Sequence, residues 1–149
     1  MANDPSGTVI EAIQRDHRDV EQMLESVTSS SGDKRRRAFW ELAAKLKAHE
    51  AAEQTVVHPL TAEEGNTAEA KALEAEESAA SKALKKLEGV DVDSAEFESG
   101  FARLKADVLA HAKEEEHDEH PQLMRDTSPD ELARRRQMFE DAERSAAKR

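Results

Sequence analysis

Apolar residues recur along this chain at steps of three and four, the repeat of a helix that buries one face. The first stripe is Ile10, Ile13, position 17, Val20, Leu24 and Val27. The second is Phe39, Leu42, Leu46, positions 49 and 53, Val56 and Leu60. Leu73, position 77, Ala80, Leu84 and Leu87 form a third, and Phe97, Phe101, Leu104, Val108 and positions 111 and 115 a fourth. Helix punctuation divides the chain at the same places. Thr8-x-x-Glu11 reads as a capping box for a helix reaching about Val27, before the Ser29–Gly32 loop. Asp33 is a candidate cap for a second helix to about Ala62, and Gly65 and Asn66 mark the next turn. A third helix is predicted from Thr67 to Glu88, stopped by Gly89 as a natural C′ residue. Asp93 or Ser94 caps a fourth to about Met124, and Ser128-Pro-Asp-Glu131 opens a fifth, highly charged one.

Four stripes on helices joined by short loops predict an all-α fold, an up-down-up-down four-helix bundle over residues 8–124. An additional C-terminal helix over 128–149 is expected as part of the same domain or as a partly docked or protruding tail, with no chemistry of its own. Composition agrees: Ala, Glu, Lys, Arg and Leu dominate, with five Gly and four Pro in 149 residues. Aromatics are 3% of the chain, so Trp40 and four Phe are the large pieces of an otherwise aliphatic core. The net charge of −11 argues against nucleic acid and anionic membranes as partners. The basic runs Lys34–Arg37 and Arg134–Arg136 read as solvated faces. Cys is absent, which excludes disulfides and thiolate-held clusters. Neither a signal-peptide core nor a transmembrane-length apolar run is visible, so the expected location is cytoplasmic, as a monomer or weak homo-oligomer.

The numbered positions carry the chemistry. They are His17, His49, Glu53, Glu77, His111 and Glu115, and each interrupts an apolar stripe. An unpaired buried carboxylate costs several kcal/mol or more, so three Glu and three His on core faces must compensate one another. A bound cation does that most completely. His-x-x-x-Glu occurs twice, as His49/Glu53 and His111/Glu115, which stacks an imidazole above a carboxylate on one helix face. Glu53 lies about nine residues before the second turn and Glu77 about ten into the third helix, so at ~1.5 Å per residue the two are nearly level.

The chain also reads as a duplicated helix pair. AHEAAEQTVVHPL (48–60) and AHAKEEEHDEHPQL (110–123) share a His, a Glu four residues on, a His nine on and a Pro ten on. His17 and Glu77 each precede a Leu by seven residues, at 24 and 84. Such a pseudo-two-fold presents matching ligand sets to two metals.

These motifs resemble the haemerythrin-like HHE cation-binding family over roughly residues 8–124. The resemblance implies an oxo- or hydroxo-bridged pair of iron ions acting on or sensing O2, hydrogen peroxide or nitric oxide. Carried over, His17, His49, Glu53, His111 and Glu115 would be ligands, with Glu53 and Glu115 able to bridge. The sequence departs from the family pattern on the third helix, where Glu77 stands in place of the usual His and Ser81 in place of a second His found in oxygen carriers. Glu116 is an alternative to Glu115, and His58 and His120 replace the aromatic before each Pro. A set rich in carboxylates favours higher-valent iron, so a catalase- or oxidase-like centre is expected rather than O2 transport. A zinc or single-metal storage or structural site is the alternative, and a metal-free polar core that fixes bundle register a third reading. His58 and His120, nine residues after His49 and His111, fall about 180° around an ideal helix and are expected at exposed helix ends. His117 is expected at the surface, and the acid run Glu114–Glu119 is expected to be solvated except at Glu115.

Overall fold

The structure is a computed structural model that describes residues 4–147, so the last two residues of the expected C-terminal helix, and the first three of the N-terminal segment read for a signal peptide, lie outside it. Five helices follow one another. Helix α1 spans Val9–Thr28. Helix α2 runs over Gly32–Ala52, passes through a π turn at Glu53–Val57 and continues over His58–Glu63. Helix α3 is Thr67–Glu88. Helix α4 repeats the design of α2, with Ala95–Glu114, a π turn at Glu115–Glu119 and His120–Asp126. Helix α5 is Pro129–Ala147. The described residues contain no strand, and none of their helices is long and apolar enough to cross a membrane.

Local chemistry sets the helix ends, in two places differently from expectation. Thr8 does not cap α1 with its side chain; its hydroxyl donates to the Pro5 carbonyl at 2.6 Å, while Glu11 accepts from the Gly7 N–H at 3.1 Å. Asp33 lies inside the first turn of α2 and pairs with Arg36. The free Gly32 N–H is met instead by Asp93 from across the bundle, at 3.0 Å. Ser94 and Ser128 cap as read, accepting from Phe97 N and Glu131 N, and Asn66, read only as a turn residue, caps α3 by accepting from Glu69 N. Gly89 ends α3 with φ −96°, so it does not use the left-handed region.

Two apolar cores result, one at each end of the bundle. The first gathers Leu24, Val27, Phe39, Leu42, Leu84, Phe97, Phe101 and Leu104. Phe39 meets Phe97 edge-on at 5.3 Å and takes the central position, leaving its neighbour Trp40 46% exposed rather than in the core. The second gathers Ile10, Ile13, Val56, Leu60, Leu123, Leu132 and Phe139. The last two belong to α5, which docks on α1 and α2 through them. Polar layers of α1–α4 lie between these cores.

Because Phe139 is fully buried, Phe139→Ala should lower stability by about 3–5 kcal/mol. Met138→Ala, at a position 38% exposed, should stay within about 1 kcal/mol. Chemical denaturation of the two variants checks this.

Candidate metal centre

Each of the four bundle helices delivers its stripe-breaking residues to the layer between the cores. His17, His49, Glu53, Glu77 and Glu115 are all buried, and the His111 side chain is 15% exposed. The ligand atoms fall into three overlapping groups, each within 4.8 Å: His17, His49, Glu53 and Glu115; Glu53, Glu77, His111 and Glu115; and Glu53, His58, Glu115 and Glu119. All six residues singled out in the sequence therefore meet in one place. Glu53 and Glu115 belong to all three groups, while a fourth group, Asp16, His49 and Glu143, lies at the outer edge of the His49 ring.

His58 is the residue that helical arithmetic misplaced. It is fully buried, with Nε2 2.9 Å from Glu77 Oε2 and 3.7 Å from Glu115 Oε2. The π turn is the cause. The His58 N–H bonds the carbonyl of Glu53, five residues back, and His120 bonds that of Glu115 in the same way. A wider turn absorbs one extra residue, so the imidazole five residues after the glutamate sits where a fourth would on an α-helix. The proline that follows each His lacks an N–H and crowds the preceding turn, a local reason for the widening. His120 is turned inward too, 2% exposed and stacked on His17 at 6.1 Å. Its Nδ1 faces the Gln14 amide at 3.3 Å, its Nε2 has no partner, and it joins none of the three groups. His117 is exposed, as expected.

A second set of carboxylates grips the outer side of each ring; sequence reasoning missed all of them but Glu116, which it offered as an alternative ligand to Glu115 and which instead holds a ring from outside. Nδ1 of His17 meets Glu116 at 2.6 Å, that of His49 meets Asp16 at 2.7 Å, that of His58 meets Glu119 at 2.8 Å and that of His111 meets Glu76 at 2.8 Å. Every one of these four imidazoles therefore turns Nε2 to the centre. Carboxylates on the far nitrogen fix tautomer and ring orientation in metal-binding histidines. Glu119 is wholly buried and also accepts from the Thr61 hydroxyl at 2.6 Å, so the acid run 114–119 is not simply a solvated face. Asp16 is held in turn by Lys45 at 2.7 Å, and Glu143 of α5 approaches the same His49 nitrogen to 4.0 Å. The C-terminal helix thus reaches the edge of the site.

Glu77 is hydrogen-bonded to His58 and His111, but around Glu53 and Glu115 the donor atoms face one another without bonding one another. His49 Nε2 and Glu53 Oε1 are 2.7 Å apart, yet neither has a hydrogen-bond partner. Both oxygens of Glu53 and both of Glu115 are likewise unpartnered. Buried polar atoms are seldom left so, and imidazole and carboxylate are the donors that bind divalent transition ions. These residues fit a cation. Without one, charges shift strongly. Burial, then the facing Glu115, pushes the Glu53 carboxyl well up. Burial opposes charge on His17, but Glu115 and Glu116 outweigh it and raise the ring to about 9. For His58 the same contest, won by Glu119 and Glu77, gives about 11.

The family description of the Hemerythrin HHE cation binding domain matches residues 8–123, most of the chain, and the protein belongs to that family. Comparison with curated proteins and with solved structures finds no match.

Since Asp16 holds the His49 ring from outside the centre, Asp16→Asn should weaken metal binding about 10–100-fold while the helical circular-dichroism spectrum is retained. Competition against a chelator of known affinity measures it.

Proposed function

We propose that this member of the family holds two iron ions side by side and acts on or senses O2, hydrogen peroxide or nitric oxide, with catalase- or oxidase-like turnover favoured over O2 transport. In this reading His17 and His49 would hold one ion and His58, Glu77 and His111 the other, with Glu53 and Glu115 within reach of both. The carrying observation is that Glu53 and Glu115 are shared by all three groups of convergent donors in the central layer, while the histidines divide between them. Shared carboxylates between separate imidazole sets are the arrangement two adjacent cations require. Iron so held supplies redox equivalents and open coordination positions.

The chain's own residues supply the rest. Three central carboxylates and a ring of outer ones make the site electron-rich, which suits iron in its higher valences better than an all-imidazole set would. Asp16, Glu76, Glu116 and Glu119 hold the rings in place, so the donors need little rearrangement on loading. The apolar cores on both sides keep bulk water from the layer. One cavity, which touches His17, His49, Glu53, Glu77 and His111, offers a small molecule a way in.

Ferrous iron loaded under anaerobic conditions should give a nearly colourless protein that develops near-ultraviolet and visible absorption when peroxide is added, together with evolution of O2. Glu53→Gln should reduce that turnover at least about tenfold, by removing a shared donor. A protein that is isolated colourless with zinc, and that when loaded with iron neither responds to peroxide nor turns it over, would overturn the redox reading in favour of a storage or structural metal site.

A further inference from the structure

The internal repeat gives the two halves of the central layer matching parts, and one of those parts is idle. His49 matches His111, Glu53 matches Glu115, His58 matches His120, and His17 stands where the other half has Glu77. In one half the ring and the carboxylate meet, with His58 Nε2 2.9 Å from Glu77 Oε2. In the other half the facing residue is itself an imidazole. His120 therefore lies ring on ring against His17 at 6.1 Å. Both nitrogens of His17 are already engaged, by Glu115 at 3.0 Å and Glu116 at 2.6 Å. The Nε2 of His120 is left without a partner among the described residues.

An unmet polar atom at this depth is costly, because the ring is 2% exposed and water does not reach it. Its hydrogen can be placed. The amide nitrogen of Gln14 can only donate, so the Nδ1 that it meets at 3.3 Å accepts, and Nε2 carries the ring hydrogen. Burial, against the pull of Glu115, lowers the ring to about 4 and keeps it neutral. A nitrogen that bears a hydrogen has no lone pair for a cation, and His120 joins none of the groups of convergent donors. It also differs from the four rings of the centre in its outer partner, an amide where each of those has a carboxylate. Yet the charged groups that act on it are those of the layer, Glu115, His17, Glu116 and His49. A buried N–H beside the donor atoms, with no acceptor in the protein, suits an acceptor that arrives from outside.

We propose that His120 is the hydrogen-bond donor to the small ligand taken up at the centre, offering its Nε2–H on the His17 side, with Gln14 as the positioning residue that fixes its tautomer. The proposal rests on the reading of the centre as an iron pair open to such a ligand. It separates the roles of the two repeated histidines: His58 belongs with the donors that hold the metal, and His120 with what the metal binds.

Azide, a small anion that accepts hydrogen bonds, tests it when titrated into the iron-loaded, oxidised protein. Visible absorption reads its affinity and the infrared azide stretch reads its surroundings. His120→Phe should keep two irons per chain, weaken azide at least about tenfold and shift the stretch. His120→Leu serves if the first variant does not fold. Gln14→Leu should move both readouts in the same direction by less, and His117→Phe, at an exposed position, should move neither. Unchanged azide affinity and stretch in the position-120 variants would overturn the proposal. So would loss of an iron from a folded position-120 variant, which would make His120 a ligand. A wild-type chain that forms no azide-binding iron pair would overturn the iron reading and this proposal with it. A wild-type chain that binds azide, with variants indifferent to residue 120, would overturn this proposal alone.

Discussion

Glu53, Glu77, Glu115 and Glu119 are each at most 1% exposed, in the middle of a bundle of helices. Taking that many carboxylates out of water is the largest unfavourable demand in the molecule, and the rest of the structure answers it. Four imidazoles are set against them at 2.7–3.0 Å, one from each of the positions His17, His49, His58 and His111. Even so, both oxygens of Glu53 and of Glu115 remain without hydrogen bonds, so neighbouring side chains alone do not complete the compensation. A bound cation would. The buried charge is then the source of metal affinity, and what would be a defect in an ordinary core becomes the binding energy of the site.

That demand also explains the division of the core. Apolar packing cannot run through a charged layer, so it collects above and below it, around Phe39, Phe97 and Phe101 at one end and around Ile13, Leu123 and Phe139 at the other. The two cores hold the backbone fixed while the layer carries the chemistry. Helix α5 joins the second core through Leu132 and Phe139 and places Glu143 beside the Asp16–His49 pair. It lies beyond the residues matched by the family description and supports the layer from outside. The two π turns serve the layer in a different way. Each spends one regular helical turn to bring a further histidine inward, and their places at Glu53 and Glu115 follow the internal repeat of the sequence.

Much of this was legible from residue order. A polar residue on an apolar stripe is conspicuous, and the six that interrupt four stripes are the ones brought together at the centre. The helices, the Ser94 and Ser128 caps, the Asn66 turn and the bundle itself follow from periodicity and turn chemistry. What was not legible lay off the stripes or off ideal geometry. Counting 100° per residue puts His58 on the wrong face, and only the Pro that follows it, repeated at Pro121, hints that the count fails there. Asp16, Glu76 and Glu119 sit beside ligand positions among many other acids, so composition masks them until the rings they hold are seen, and Glu116 was noticed only as an alternative ligand. Trp40 was expected inside because it is large and apolar, but Phe39 fills the core and one helix face cannot bury both. The docking of α5 rests on Leu132 and Phe139, two apolar residues seven apart in a highly charged segment, a signal too sparse to separate a docked helix from a free one.

The most direct test of the account is stoichiometry. Native mass spectrometry of the metal-free chain, titrated with ferrous iron in the absence of oxygen, reads how many ions each molecule takes up. A shared Glu53–Glu115 bridge between two imidazole sets predicts two ions per chain, with the second lost when either glutamate is replaced by glutamine. Uptake of none, or of a single ion that persists in both variants, would contradict a centre built on those two carboxylates.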